Sequence, residues 1–253
     1  MNEIVSIHAY SPKSVRLQIE NRIVAAKAKP GQFVIIKFHE DGLRIPFAIV
    51  DCHPETGILE VIIHRADGLD DILGIIAEGN VLPDLLGPLG QPAHLESDKT
   101  LLFCGDGAGL VPLIPLIKSS KKKGCKVITV ISEQSSLTKC LVTDIIEDCV
   151  LVEIAADADI ESLVENRLQQ YEVDKMVFSG PTMMMRDLAR LAKSRDIPAD
   201  CVLNMLMIDG IGLCGVCRVV VGGRQLNTCI DGPVFNAWEV DFDQIINRQR
   251  SFV

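Results

Sequence analysis

The sequence lacks three features that mark common functional classes. It has no excess of positive charge, since 25 Lys and Arg residues stand against 34 Asp and Glu residues and the net charge is −9. Binding to nucleic acid or to anionic lipid needs clustered basic side chains, so this balance argues against both. No apolar run reaches the roughly 18 residues of a membrane span, and the start of the chain lacks a basic segment followed by an apolar one. We therefore expect a cytoplasmic protein that binds neither nucleic acid nor membrane.

Cysteine, by contrast, is plentiful, with nine residues in a chain of 253. Three of the nine fall within a glycine-rich stretch, residues 203–233. Clustered cysteines in a reducing compartment more often bind metal than form disulfides. The other six are scattered and are typical of small core residues, namely Cys52, Cys104, Cys125, Cys140, Cys149 and Cys201.

The glycine-rich stretch has the ligand spacing of an iron–sulfur protein. Its candidate ligands are Asp209, Cys214, Cys217 and Cys229, in the pattern Asp-x4-Cys-x2-Cys-x11-Cys. Plant-type ferredoxins use Cys-x4-Cys-x2-Cys and a distant fourth cysteine, so here a carboxylate replaces the first thiol. Glycines at positions 210, 212 and 215 would let the backbone adopt positive φ and wrap closely around a cluster. The pattern therefore indicates a [2Fe–2S] site.

Other interpretations of the same residues stay open. Zinc accepts three cysteines and one aspartate, although structural zinc usually takes two well-separated ligand pairs. A redox-active Cys-x-x-Cys pair would leave Cys229 without a role. The stretch could also be a loop with buried thiols, and Asp209 could merely open a turn.

Composition and periodicity divide the chain into three sections. Residues 1–96 carry short runs rich in Val and Ile, which predicts a small antiparallel β-barrel that ends in an exit loop, PDLLGPLGQP, at residues 83–92. Residues 97–197 alternate buried strands with helices, which predicts a doubly wound parallel sheet. Residues 198–253 show little helix signal and contain a predicted hairpin that turns at positions 222 and 223.

The last section, LNMLMIDGIGLCGVCRVVVGG…CIDGPVFNAWEVDFDQIINRQ, resembles a group of electron-transfer subunits in the ferredoxin-NADP reductase superfamily. The group includes the small subunit of NADH-dependent reduced ferredoxin:NADP oxidoreductase, also called a sulfide dehydrogenase subunit, and the electron-transfer subunit of dihydroorotate dehydrogenase. The resemblance implies an FAD-binding barrel, an NAD(P)-binding α/β domain and a small C-terminal [2Fe–2S] lobe. It also implies that the cluster is held by Asp209 and the three clustered cysteines.

The flavin motifs of this superfamily appear in altered form. Its Arg-x-Pro-x-Thr/Ser motif corresponds to Arg44, Pro46, Phe47 and Ala48. Ala48 cannot supply the hydroxyl that bonds the flavin N5. The turn that holds the FAD pyrophosphate begins at Gly68, but Asp70 and Asp71 follow where hydroxyl residues are expected. Two unit charges 4 Å apart repel by about 1 kcal/mol in water and by about 4 kcal/mol at an effective dielectric near 20.

The nicotinamide motifs are also altered. Gly105, Gly107 and Gly109 would still let the backbone approach a pyrophosphate at a helix N-terminus, whereas Asp106 would oppose it. By resemblance, Gly180, Pro181 and Met183 border the nicotinamide pocket. Glu133 stands where relatives often carry Arg, which favours NADH over NADPH.

The resemblance implies that NADH reduces FAD and that the cluster passes single electrons to a larger flavin and iron–sulfur subunit. That partner would resemble the small subunit of glutamate synthase, and ferredoxin could be engaged through it. Such pairs carry out flavin-based electron bifurcation. The altered motifs support an alternative, a degenerate subunit that has lost FAD or NAD binding and serves as a [2Fe–2S] relay or a structural subunit.

Overall fold

Short antiparallel strands form the first part of the chain, in a computed structural model that describes residues 2–11, 13–64, 70–132, 136–155 and 160–250. The strands are β1 (Glu3–Ser11), β2 (Ser14–Glu20), β3 (Phe33–Lys37), β4 (Arg44–His53), β5 (Ile58–His64) and β6 (Asp84–Leu89), and they pair in the order β1-β2-β5-β4-β3-β6. Pairing of Glu3 with Val81, just before β6, joins the two ends of this sheet. The predicted barrel is therefore confirmed.

The barrel interior is apolar, and two short helices belong to the same section. These are α1 (Arg22–Lys27) and α2 (Asp70–Ile75). Leu17, Ile36 and Val61 are among the fully buried side chains that fill the barrel. They come from β2, β3 and β5, so strands from both halves of the sheet contribute to one core.

The exit loop predicted at residues 83–92 is wrong in part, because Asp84–Leu89 is strand β6. This strand pairs with β3 on one side only, with a register irregularity between Phe33 and Ile35. An edge position tolerates Pro88, which has no backbone N–H to donate to a second neighbour. Pro83, Gly90 and Pro92 flank this strand and are typical of loops, so the sequence pattern did not predict a strand here.

A parallel sheet flanked by helices follows the barrel. Its strands are β7 (Thr100–Asp106), β8 (Lys126–Ser132), β9 (Leu151–Ala155), β10 (Lys175–Ser179) and β11 (Ala199–Val202). The accompanying helices are α3 (Ile114–Lys122), α4 (Ser136–Thr143), α5 (Ile160–Gln170) and α6 (Thr182–Ser194), with 3-10 helices at Gly107–Leu113 and Ile146–Asp148. The predicted doubly wound arrangement is confirmed, since the strand order β11-β10-β7-β8-β9 reverses direction beside β7.

The rest of the chain returns to this sheet. It contains the hairpin β12 (Arg218–Val221) and β13 (Arg224–Asn227), then α7 (Thr228–Asp231), β14 (Val234–Asn236) and α8 (Phe242–Arg250). The hairpin turns at Gly222 and Gly223, as predicted. Strand β14 pairs antiparallel with β11, so two strands beyond residue 197 extend the sheet of the middle section. Helix α8 was not predicted. Within the described ranges, no helix has the length and apolar character needed to cross a membrane.

A polar network joins the barrel to the segment after α4. The Tyr10 hydroxyl donates to Asp144 Oδ2 at 2.7 Å, and Arg16 Nη2 lies 3.1 Å from the same oxygen. Arg16 Nε lies 3.4 Å from Glu60. Burial, helped by the bond to Asp144, raises the pKa of Tyr10 far above its usual value. Asp144, which follows α4, therefore supplies a negative charge to Arg16 of the barrel, and this ion pair joins the barrel to the α/β section.

We expect Asp144→Ala to lower the free energy of unfolding by about 2 to 4 kcal/mol, because it leaves a largely buried guanidinium with one remaining counter-charge. Glu165→Ala is the matched control, since Glu165 pairs with Arg195 at the surface and such pairs contribute about 1 kcal/mol or less. Urea denaturation followed by circular dichroism measures both. Equal losses in the two variants would contradict the buried-network account.

Candidate functional site

A cavity of about 240 Å³ lies between barrel strand β4 and the sheet that follows it. Three of the residues with a predicted flavin role line it, namely Pro46, Phe47 and Ala48. The opposite wall includes Val111 and Pro112 from the 3-10 helix. The cavity is therefore the space in which a flavin ring could lie against β4.

Arg44, the fourth residue of the flavin motif, does not line this cavity. It begins β4, and its Nη2 lies 2.8 Å from Asp84 Oδ2 on β6. Both side chains are substantially exposed, so their pairing is screened by solvent and easily exchanged for another anion. The contribution of Arg44 to a diphosphate site remains a prediction.

His64 is a wall residue of the cavity that the motif analysis missed. Its Nδ1 lies 2.8 Å from the hydroxyl of Ser14, which is fully buried. Desolvation, with a smaller effect of Lys13, lowers the pKa of His64. Its position at the end of β5 carries no recognisable motif, so only the fold brings it to the cavity.

A second, larger cleft of about 930 Å³ opens at the carboxyl ends of β7 and β10. It is lined by the predicted nicotinamide residues Gly107, Gly109, Gly180, Pro181 and Met183. Gly105 lies behind this lining, where a Cβ would contact Leu110 and Leu113. The cleft occupies the edge of the parallel sheet at which ligands of open α/β folds bind.

Gly109 is the residue that lets the two strand ends meet. A Cβ at this position would lie 2.5 Å from the Ser179 carbonyl oxygen and 2.7 Å from Gly180 Cα. The turn after β7 continues as a 3-10 helix, and the α-helix begins only at Ile114. Pro112 accounts for this start, because its ring and missing N–H disfavour α-helical hydrogen bonding in the preceding turn.

Asp106 gives this cleft an acidic residue. One carboxylate oxygen of Asp106 is buried without a hydrogen-bond partner among the described residues. Burial raises the pKa of Asp106, and a bond from Ser132 only partly offsets the effect. An anionic ligand group placed beside Asp106 would be repelled while the carboxyl is ionised.

The cavity and the cleft share part of their walls. Ala108, Leu203 and Asn204 line both spaces. Leu203 and Asn204 directly follow β11, so the start of the glycine-rich stretch forms the wall between the cavity and the cleft. A ring in the smaller space and a ligand in the larger one would thus be neighbours.

The four candidate metal ligands form two close pairs. Asp209 Oδ2 accepts a hydrogen bond from the Cys214 backbone N–H at 2.5 Å, and Cys217 Sγ lies 3.3 Å from Cys229 Sγ. Each pair also accepts a second backbone hydrogen bond, since the Ile211 N–H donates to Asp209 Oδ1 at 3.0 Å and the Cys229 N–H donates to Cys217 Sγ at 3.5 Å. Among the residues that the structure describes, no three His, Cys, Asp or Glu side chains are grouped so as to hold a single metal ion.

The surroundings of the two pairs differ. Cys217 and Cys229 are buried, whereas Cys214 is exposed. Desolvation and the neighbouring Cys217 sulfur raise the pKa of Cys229 to about 12, so ligation would have to displace its proton. For Asp209, desolvation is outweighed by backbone N–H groups, first that of Ile211, which lower the carboxyl pKa.

The loop backbone fits a binuclear cluster. Gly210, Gly212 and Gly215 all have positive φ, at 70°, 83° and 63°, as their sequence positions predicted. N–H groups in such a loop are directed at a ligand side chain, as shown by those of Ile211 and Cys214, which donate to Asp209, and bridging sulfides need donors of this kind. Two ligand pairs suit a [2Fe–2S] cluster, because each of its irons takes two protein ligands.

The buried thiols share an apolar core with the barrel. Cys217 and Cys229 pack with Phe33 and Ile35 of β3 and with Met207. Phe33 and Met207 also line the cavity beside β4. One layer of side chains therefore separates the candidate flavin space from the candidate cluster ligands.

Several residues of this site could not be read from motifs. Ile245, Ile246, Gln249 and Arg250 of α8 line the large cleft. The spacing of Phe242, Ile245 and Ile246 is typical of an amphipathic helix, so the sequence pattern could have predicted α8. Gly68 and Glu133 lie outside the described residues, and the side chains of Asp70 and Asp71 are not described.

Gly210→Ala should prevent normal cluster assembly. A Cβ there would lie 2.3 Å from Ile35 Cδ1, and the φ of 70° disfavours any side chain. Gly223→Ala is the matched control, because Gly223 has a φ of 72° and nothing within 4 Å of its Cβ position. Iron and acid-labile sulfide per chain measure the effect. Equal iron content in both variants would show that the barrel contact does not shape the loop.

Comparison with known proteins agrees with this arrangement. Residues 204–241 match the family described as the iron–sulfur cluster binding domain of dihydroorotate dehydrogenase B. The dihydroorotate dehydrogenase B (NAD(+)) electron transfer subunit homolog of Thermotoga maritima is 32% identical, over 98% of this chain and 90% of its own length. The electron transfer subunit of Geobacillus kaustophilus is 30% identical, over 94% of this chain and 96% of its own.

Solved structures extend the likeness to three dimensions. A chain of the NADH-dependent reduced ferredoxin-NADP oxidoreductase, studied for flavin-based electron bifurcation, superposes with a TM-score of 0.90 at 31% identity, covering 99% of this chain and 93% of its own. The ferredoxin reductase of carbazole 1,9a-dioxygenase has the same fold, with a TM-score of 0.61 at 19% identity, covering 78% of this chain and 65% of its own. The chain therefore belongs to the family of dihydroorotate dehydrogenase B electron transfer subunits and their homologues.

Proposed function

We propose that this chain is the NADH-oxidising, electron-relaying subunit of a cytoplasmic oxidoreductase complex. The observation that carries the proposal is the double role of Phe33 and Met207, which line the cavity beside β4 and also pack on Cys217. When bound, the flavin would convert electron pairs from NADH into single electrons, and the [2Fe–2S] cluster would carry them onward. No residue is assigned a proton-transfer role.

The chain's own residues would set the order of the cofactors. Pro46, Phe47 and Ala48 offer a flat apolar wall to the flavin ring, and Ala108 and Asn204 lie at its border with the nucleotide cleft. The thiols of Cys217 and Cys229, which share an apolar core with Phe33 and Met207, would hold the cluster. The preference for NADH over NADPH rests on resemblance through Glu133.

The glycine-rich stretch of residues 203–233, called the cluster loop below, carries an exposed apolar surface, and this surface supports the proposal that a partner subunit binds here. Its members are Leu206, Ile208, Ile211, Leu213 and Ile230, and Leu213 is 83% exposed. Ile211 and Leu213 directly precede the exposed Cys214, and Ile230 lies beside Gly212, so a protein that covered them would approach the candidate cluster ligands. Contiguous apolar patches of this kind often mark protein interfaces. We propose that the partner is a larger flavin and iron–sulfur subunit resembling the small subunit of glutamate synthase.

Two departures favour a second candidate, a relay subunit without one or both nucleotide cofactors. Ala48 presents no hydroxyl to the cavity. Asp106 places a buried carboxylate in the cleft. In this alternative the loop keeps its cluster and the chain only conducts electrons or supports the complex.

Cofactor analysis separates the candidates. We expect anaerobically purified protein to hold one heat-releasable FAD and about two irons and two sulfides per chain, since two ligand pairs serve a binuclear cluster. Cys217→Ser should lose the cluster, and Asp209→Cys should retain one with an altered potential. Protein with a cluster but no flavin would support the relay candidate, and zinc in place of iron would reject both.

The charge of Asp106 can be tested in the same preparation. Asp106→Asn removes the charge at nearly constant volume, so it should tighten NADH binding by roughly tenfold if it relieves about 1.4 kcal/mol of repulsion. Asp41→Asn, at the exposed turn between β3 and β4, is the control for the change in net charge. Isothermal titration calorimetry with NAD⁺, which has the same pyrophosphate as NADH but cannot reduce the flavin, measures both. Unchanged or weaker binding in Asp106→Asn would mean that Asp106 does not oppose the nucleotide.

A further inference from the structure

Arg248 of α8 reaches the backbone of the cluster loop. Its Nη1 donates to the Arg218 carbonyl oxygen at 2.6 Å, and its Nη2 donates to the carbonyl oxygen of Val216. These two residues flank Cys217 in the sequence. One guanidinium therefore holds the peptide groups on both sides of a candidate cluster ligand.

The carbonyl between these two is also bound. The backbone N–H and the hydroxyl of Thr228 each donate to the Cys217 carbonyl oxygen at 3.0 Å. Three successive carbonyls, those of residues 216 to 218, are thus bound by donors from Arg248 and Thr228. Because a peptide unit is planar, fixing its carbonyl also fixes the direction of its N–H group and limits where the Cys217 side chain can point.

Helix α8 is firmly placed, so Arg248 starts from a fixed base. Phe242, Ile245 and Ile246 are buried beneath the helix. Near its end the Thr182 hydroxyl donates to Gln249 Oε1 at 3.0 Å, and near its start Arg186 Nη1 lies 3.4 Å from Asp243. The helix is therefore anchored on α6 by contacts on both sides of Arg248.

We propose that Arg248 is a positioning residue for the iron–sulfur cluster. Its planar fork holds the peptide groups around Cys217 in the orientation that presents the thiolate, and nearby N–H groups, to the cluster. The inference rests on the proposed [2Fe–2S] function of the loop. Arginine suits the task because two donors in a rigid plane can reach two carbonyls, whereas the single ammonium of lysine cannot span both. Groups that orient a metal ligand typically change metal affinity by roughly 10- to 100-fold when removed.

Lysine and methionine substitutions separate positioning from charge. Arg248→Lys keeps the positive charge and loses the fork, while Arg248→Met loses both. The matched controls are Arg195→Lys and Arg195→Met, because Arg195 pairs with Glu165 between α6 and α5, away from the loop. The readouts on full-length reconstituted protein are the rate of iron release to a chelator and the electron paramagnetic resonance spectrum after dithionite reduction.

We expect both Arg248 variants to release iron roughly tenfold faster than the wild type or more, with a broadened or shifted spectrum, and both Arg195 variants to match the wild type. An Arg248→Lys variant that matches Arg195→Lys in both readouts overturns the positioning role, because charge alone would then suffice. If Arg248→Met fails to fold by circular dichroism, Arg248→Lys still decides. A wild type that takes up no iron and sulfide overturns the proposed function itself, and an intact wild-type cluster with unaffected Arg248 variants overturns only this inference.

Discussion

The contact between the cluster loop and barrel strand β3 is the constraint on which the rest of the site depends. At Gly210 the loop backbone comes so close to Ile35 that a methyl group would collide with it. Beneath this contact, Cys217 and Cys229 are buried in one apolar core with Phe33 and Met207. The loop is therefore shaped by the barrel as well as by its own glycines, and this contact gives the candidate ligands between residues 209 and 229 a defined place beside β3.

One segment of chain beside this contact borders three functional spaces. The segment that leaves β11 supplies Leu203 and Asn204 to the wall between the large cleft and the smaller cavity, and Met207 to the wall between that cavity and the thiols. A single stretch of chain thus borders the nucleotide space, the flavin space and the cluster ligands. Because single side chains separate adjacent spaces, electrons would need to cross only short distances, and the exposed apolar surface around Cys214 offers them an exit toward a partner.

Local spacing was enough to predict much of this architecture. The alternation of buried strands and helices, the turn at Gly222 and the positive φ of Gly210 all follow from short-range pattern. Strand β6 was not predicted because its prolines are typical of loops, and the sequence does not show that this segment lies at the edge of the sheet, where proline is tolerated. The position of His64 in the cavity and the reach of Arg248 to the loop depend on tertiary packing between distant segments, which no local pattern encodes.

In the proposed relay, electrons that enter through the nucleotide cleft reach the cluster through the flavin. The most direct test of this relay is the electron paramagnetic resonance spectrum of the wild-type protein after anaerobic addition of NADH, with no other reductant present. The account predicts that the signal of a reduced [2Fe–2S] cluster appears as the flavin absorbance falls. Loss of the flavin absorbance with no cluster signal would contradict it, because the flavin space and the thiols would then not be connected as the shared wall of Phe33 and Met207 requires.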